Sequence, residues 1–141
     1  MTDTTKTPWH LWAVGGISAL WNAFGVFDFT ATALRFEAYL ANYPQAMLDH
    51  IYAAPVWMWA AWVVGVFGAL IGSILLLMRN KLAVPAFALS LIGAVVSMGA
   101  GVVYPPPPEV PSNIAMTVVI IAIAACLLIY AWWTSRKGII R

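Results

Sequence analysis

Val56-Trp57-Met58-Trp59-Ala60-Ala61-Trp62-Val63-Val64-Gly65-Val66-Phe67-Gly68-Ala69-Leu70-Ile71-Gly72-Ser73-Ile74-Leu75-Leu76-Leu77-Met78 contains no charged residue. A bilayer core about 30 Å thick is crossed by about 20 apolar residues in a helix. The stretch is long enough, and it lacks the alternation of a barrel strand. A helix satisfies all its own backbone groups, which lipid requires. Working outward, three more such runs appear, at about 9–30, 82–103 and 113–133. The expected fold is all-α: an integral membrane four-helix bundle, up-down-up-down, forming a single transmembrane domain over residues 1–141.

Composition agrees. The chain is 63% hydrophobic and 9% charged, against about 25% charged in an average soluble domain. Twelve charged side chains cannot cover a soluble domain of 141 residues. The net charge of +2 includes no basic run of the kind that binds nucleic acid. Cys126 is the single cysteine, which excludes an intramolecular disulfide and a multi-cysteine metal site. Lys6 before the first run, with Ala31-Thr32-Ala33 after it, faintly resembles a signal peptide. The apolar stretch is too long for one, so the segment is expected to be retained.

Charge placement sets the orientation. Lys6, Arg79, Lys81, Arg136, Lys137 and Arg141 fall on one side of the four runs, and Arg35 alone on the other. The positive-inside rule then puts both termini in the cytoplasm. Trp9, Trp12, Trp132 and Trp133 mark the inner headgroup level, and Trp57, Trp59 and Trp62 the outer one. Arg79-Asn80-Lys81 reads as a tight hairpin joining antiparallel neighbours. Residues 104–112 form an outer proline-rich loop, since Pro105 to Pro108 and Pro111 cannot continue a helix. Ser112 or Asn113 would cap the fourth run. Residues 31–54 read as an outer interfacial segment of one or two short helices, the second opened by Pro44. Leu40, Met47, Leu48, Ile51 and Tyr52 can share its apolar face, with Gln45 and Asp49 turned to water. The segment is either a lid lying on the membrane or a cap that binds a ligand or partner.

Small residues recur at helix-contact spacing: Gly15, Ala19, Ala23 and Gly25; Gly65, Gly68, Ala69, Gly72 and Ser73; Gly93, Ser97 and Gly101. They allow close backbone approach, within one bundle or between copies. Asn22, Gly25 and Asp28 share one face of the first helix. A carboxylate within a span is costly and a functional candidate by default. Asp28 either is hydrated or paired with Arg35, or couples a proton or substrate. Asn22 either bonds between helices or contacts a ligand. Asn22, Asp28 and Arg35 are the candidate binding residues; no catalytic residue, metal ligand or cofactor is expected. His10 and His50 fall on opposite sides, and His50 with Asp49 and Glu37 makes a weak metal set. Cys126 reads as a small hydrophobe. No Ser-His-Asp, GxSxG, P-loop or HExxH pattern occurs.

Lys6-Thr7-Pro8-Trp9-His10-Leu11-Trp12, then Leu20-Trp21-Asn22 through Gly25 and Asp28, carry a resemblance, which extends to Gly72-Ser73, Leu75-Leu76-Leu77 and Ala83 through Ser90-Leu91. Over the first three runs the chain resembles a group of small proteobacterial four-helix inner-membrane proteins, some of which carry a "sugar transporter" label. The resemblance implies a bacterial inner-membrane location and brings no functional residues with it. A sugar site needs several polar groups, and Asn22 with Trp21 falls short of that. The expected function is therefore non-enzymatic: an accessory or stabilising subunit of a larger membrane complex, or a homo-oligomer, acting through helix packing in the lipid bilayer. The alternative is a small-solute or proton-coupled transporter, working as an oligomer with Asp28 and Asn22 at its site. A third is an interfacial enzyme using Asp49 and His50.

Overall fold

The computed structural model describes residues 7–110 and 114–141. Lys6 and the cap expected at Ser112 or Asn113 lie outside the described residues. The chain is all-helical: α1 (Trp9–Ala33), α2 (Glu37–Leu40), α3 (Gln45–Tyr52), α4 (Val56–Leu77), α5 (Ala83–Gly99, extended by a 3-10 turn over Ala100–Val102) and α6 (Ile114–Arg136). Three helices are long and apolar enough to cross a membrane: α4, α5 with its 3-10 turn, and α6. Helix α1 has 25 residues and is about 37 Å long at the usual helical rise. Ser18, Asn22 and Asp28 make it less apolar than the other three, and it is not among them.

Large apolar side chains point outward and small ones inward. Leu20, Ile17, Leu89, Ile92 and Ile129 are all more than half exposed, while Gly65, Ala69, Gly72, Ser73, Ser90 and Gly93 are buried. Water would penalise that surface; lipid would not.

Helices α4 and α5 lie antiparallel across the turn at Arg79-Asn80-Lys81, where the Asn80 side chain accepts the Leu82 backbone N–H at 2.9 Å. Their backbones touch. A β-carbon on Gly93 would sit 2.6 Å from the Gly65 nitrogen and 2.8 Å from the Ala61 carbonyl, and one on Gly72 would sit 2.8 Å from the Phe87 ring. Gly65 and Gly68 also face α5 backbone. The GxxxG face is thus occupied within the chain. Gly15 packs on Leu77 and Gly25 on Val66, which sets α1 against α4. The outlier is Gly101: expected to pack, it is exposed, with nothing within 4 Å of an added β-carbon. It lies in the 3-10 turn and faces outward, whereas Ala100 beside it is buried. Ala19 is half-buried.

Helix α6 packs along α5. It meets α1 at one end only, where the His10 Nδ1 is 2.5 Å from the Tyr130 hydroxyl. Leu11, Leu76, Ala83, Phe87, Leu127 and Ala131 form the core there, closed by Ile139 and Ile140 from the tail. The tail is held to the α4–α5 turn: Lys81 N–H donates to the Arg141 carbonyl (3.0 Å), Arg141 N–H to the Arg79 carbonyl (2.8 Å), and Arg79 Nε to the Ile139 carbonyl (3.0 Å). This is the turn end of the bundle; α2 and α3 cover the other, the cap end.

Candidate functional site

The site is built where α1 ends. Helix α1 terminates with Arg35 in the left-handed region (φ 55), and Phe36 N–H returns to the Ala31 carbonyl at 2.9 Å. That closing pattern satisfies the last carbonyls and reverses the chain. The reversal carries α2 and the residues after it back over Asp28. The Tyr39 hydroxyl donates to Asp28 Oδ1 at 2.5 Å. The Tyr43 hydroxyl lies 3.3 Å from the same oxygen and 3.2 Å from the Tyr39 oxygen, so its single proton is shared between them.

Arg35, whose pairing was one of the alternatives expected for Asp28, does not pair with it. Its guanidinium lies 3.9 Å from the centre of the Tyr52 ring, a cation–π position. The left-handed turn points Arg35 toward α3 and brings two phenols to the carboxylate instead. Tyr52 stacks in turn on Trp59 and donates to the Thr32 carbonyl at 2.6 Å. Arg35, Tyr52 and Trp59 thus rivet the cap to α1 and α4. Trp59, expected as a headgroup anchor, is tied beneath the cap with Trp62 and Phe29, ring centres 5.0–5.9 Å apart. Trp57, Trp9, Trp12, Trp132 and Trp133 remain exposed.

Because α1 and α6 touch only at the turn end, the space between them stays open. It forms a cavity of about 440 Å³, within the usual range for ligand pockets of ~300–1,000 Å³. Helix α1 supplies Trp21, Asn22, Phe24, Gly25 and Asp28; α6 supplies Met116, Ile120 and Ile123; α4 and α5 form the back wall with Trp62, Ser90 and Ser97. Tyr39 and Tyr43 close the cap end. A second chamber of about 280 Å³ lies under the cap and shares Asp28, Tyr43, Trp62 and Ser97 with the first. Ser97, expected to pack between helices, lines both.

Deep in the cavity, the Asn22 amide nitrogen donates to the Ala69 carbonyl (3.2 Å) and to Ser73 Oγ (2.9 Å). Ser90 Oγ donates to the Gly65 carbonyl at 2.7 Å. Asn22 and Asp28 therefore line the same space, but Asn22 also bonds α1 to α4. Of the two roles expected for Asn22, the bond between helices is the one observed. Among the lining residues Asp28 alone is charged. Burial, then the hydrogen bonds to Asp28 and Tyr43, push the Tyr39 phenol well above its ordinary pKa. It stays a neutral donor to the carboxylate.

The other expected candidates have separate partners. Asp49 accepts from Gln45 at 2.8 Å, and the His50 ring stacks on Tyr104 at 4.3 Å. The described residues hold no group of three His, Cys, Asp or Glu that could bind a metal. Cys126 is exposed on α6. Tyr39 and Tyr43 were missed in the sequence. The only signal for them was their spacing, which sets both hydroxyls on one side of a helical turn.

No protein-family model matches the chain, and no curated protein or solved structure is significantly similar to it. The functional reading rests on the geometry.

Proposed function

We propose that this is a four-span protein of the bacterial inner membrane, with both termini in the cytoplasm, that binds and passes a small solute through the cavity between α1 and α6. The observation that carries the proposal is that cavity, with one carboxylate at its capped end and Asn22 at its depth. Helix α1 serves as the fourth span: its outward residues Ile17, Leu20 and Phe24 are apolar and exposed, and its polar groups turn inward, as a cavity-lining helix requires. Basic residues at the turn end, against Arg35 as the single Lys or Arg of the cap end, support the orientation. The resemblance to small proteobacterial inner-membrane proteins supports the location.

The glycine faces that first suggested assembly are filled within the chain, which favours solute handling. One observation favours a subunit of a larger complex or a homo-oligomer instead. Only 11% of the apolar window of α6 is buried, leaving a long face for a partner helix.

Uptake into reconstituted vesicles tests the proposal, using a panel of amines, sugars, amino acids and carboxylates. At least one solute should enter faster than into empty vesicles, and Ser97→Trp, which fills the cavity, should remove the difference. Uptake equal to empty vesicles throughout, with a particle that carries other proteins out of native membranes, would overturn it in favour of the subunit. Orientation has its own test. Reporter fusions after Arg141 should read as cytoplasmic, and fusions within Pro105–Pro108 as periplasmic.

A further inference from the structure

The cavity has one charge and no counter-charge. Among the described residues, Asp28 is the only charged one lining it, and no Lys or Arg lines either chamber. Arg35, the nearest cation along the chain, is held on Tyr52. His50 is the only basic side chain of the capped chamber, and its ring lies flat on Tyr104. A carboxylate in apolar surroundings is costly unless paired. Two phenols partly offset that cost. Tyr39 donates to Oδ1, and Tyr43 shares its proton between that oxygen and the Tyr39 hydroxyl.

The walls point the same way. Tyr39, Tyr43, Trp62 and Trp21 place π systems around the cavity, and aromatic faces attract cations and repel anions. The remaining lining is dominated by Met and aliphatic side chains. The Asn22 amide nitrogen and the Ser90 hydroxyl are already donating to protein acceptors, which leaves few groups to hydrogen-bond a polyol. Resting on the solute-binding reading above, we propose that the cavity takes a monovalent organic cation with an apolar body, its charged centre paired with Asp28 beside Tyr39, Tyr43 and Trp62.

Two probes of one shape and opposite charge test this on the full chain in detergent: tetraphenylphosphonium and tetraphenylborate. Benzyltrimethylammonium serves as a smaller cation. At least one of the two cations should bind saturably, one per chain, and at least about tenfold more tightly than the borate, as a charge-assisted contact predicts. Asp28→Asn keeps an acceptor for Tyr39 and should weaken cation binding by at least about tenfold while leaving the borate unchanged. The comparison of the two charges on the unaltered protein needs no variant, so a folding defect in Asp28→Asn would not obscure the answer. Equal binding of phosphonium and borate, unmoved by Asp28→Asn, would overturn the cation while leaving a binding cavity. Saturable binding of neither cation would also overturn it. Vesicle uptake of another solute class would then still uphold the solute-binding reading, and its absence would remove both.

Discussion

The α4–α5 contact and the α1–α6 gap are opposite solutions in one bundle. Along α4 and α5, Gly65, Gly68, Gly72 and Gly93 let backbone meet backbone, with no room for one added carbon at Gly93. Between α1 and α6 the facing side chains are large, Trp21 and Phe24 against Met116 and Ile120, and a cavity of about 440 Å³ remains. Small residues gain close dispersion contact where no hydrophobic effect drives helices together. Large and polar residues, held off by the rigid α4–α5 pair, keep space open. The difference teaches that close packing in one half leaves an enclosed space in the other.

The largest effect should break the close packing. Gly93→Leu drives a side chain into the Gly65 and Ala61 backbone, which cannot yield as a flexible side chain can. The expected loss is about 3 kcal/mol or more, read as a collapse of the thermal transition in detergent. A variant as stable as the parent would mean that the two helices do not touch as described. Next comes the enclosed space. Ser97→Trp should leave the melting transition within a few degrees while abolishing solute uptake, because it fills space that the fold does not need. A large loss of stability would show that this half is packed rather than open.

Asn22→Ala joins the two halves. It removes the bonds to Ala69 and Ser73 and should cost about 1 kcal/mol, since interhelical hydrogen bonds in membranes average well under 2. Gly101→Ala should change stability by less than about 0.5 kcal/mol, because nothing lies near it; a larger cost would restore it to a helix interface. The smallest signal is a titration. The Tyr39 pKa is raised in the folded state, so its proton is retained where an accessible phenol loses one, near pH 10. Its contribution to stability is complete below that pH and falls as pH rises beyond it. Tyrosinate absorbance just above pH 10 should therefore be nearly the same in Tyr39→Phe and the parent. A clear drop in the variant would show that the Tyr39 phenol ionises normally.

The apolar runs are legible in the chain because a helix in lipid must satisfy its own backbone, a local demand. Their observed ends, Val56–Leu77, Ala83–Val102 and Ile114–Arg136, lie close to the expected ones for that reason. The polar face of α1 is legible too, since Asn22, Gly25 and Asp28 follow the helical period. The partner of Asp28 is not. Arg35 is the obvious choice by charge, and a left-handed turn at that same residue points it elsewhere. Tyr39 and Tyr43, 11 and 15 positions after Asp28, reach the carboxylate only because the turn closes in one particular way. The docking of Ile139 and Ile140 on the α4–α5 turn is equally silent, because two isoleucines after a glycine carry no periodicity to read. Sequence alone determined which segments are helices, where they stop and which faces are small or polar, since each depends on neighbours within a few residues. The tertiary structure alone decided that α1 and α6 stand apart, that a cavity lies between them and that its single charge faces it without a cation. Those are properties of four packed surfaces at once, and no single segment encodes the space left over.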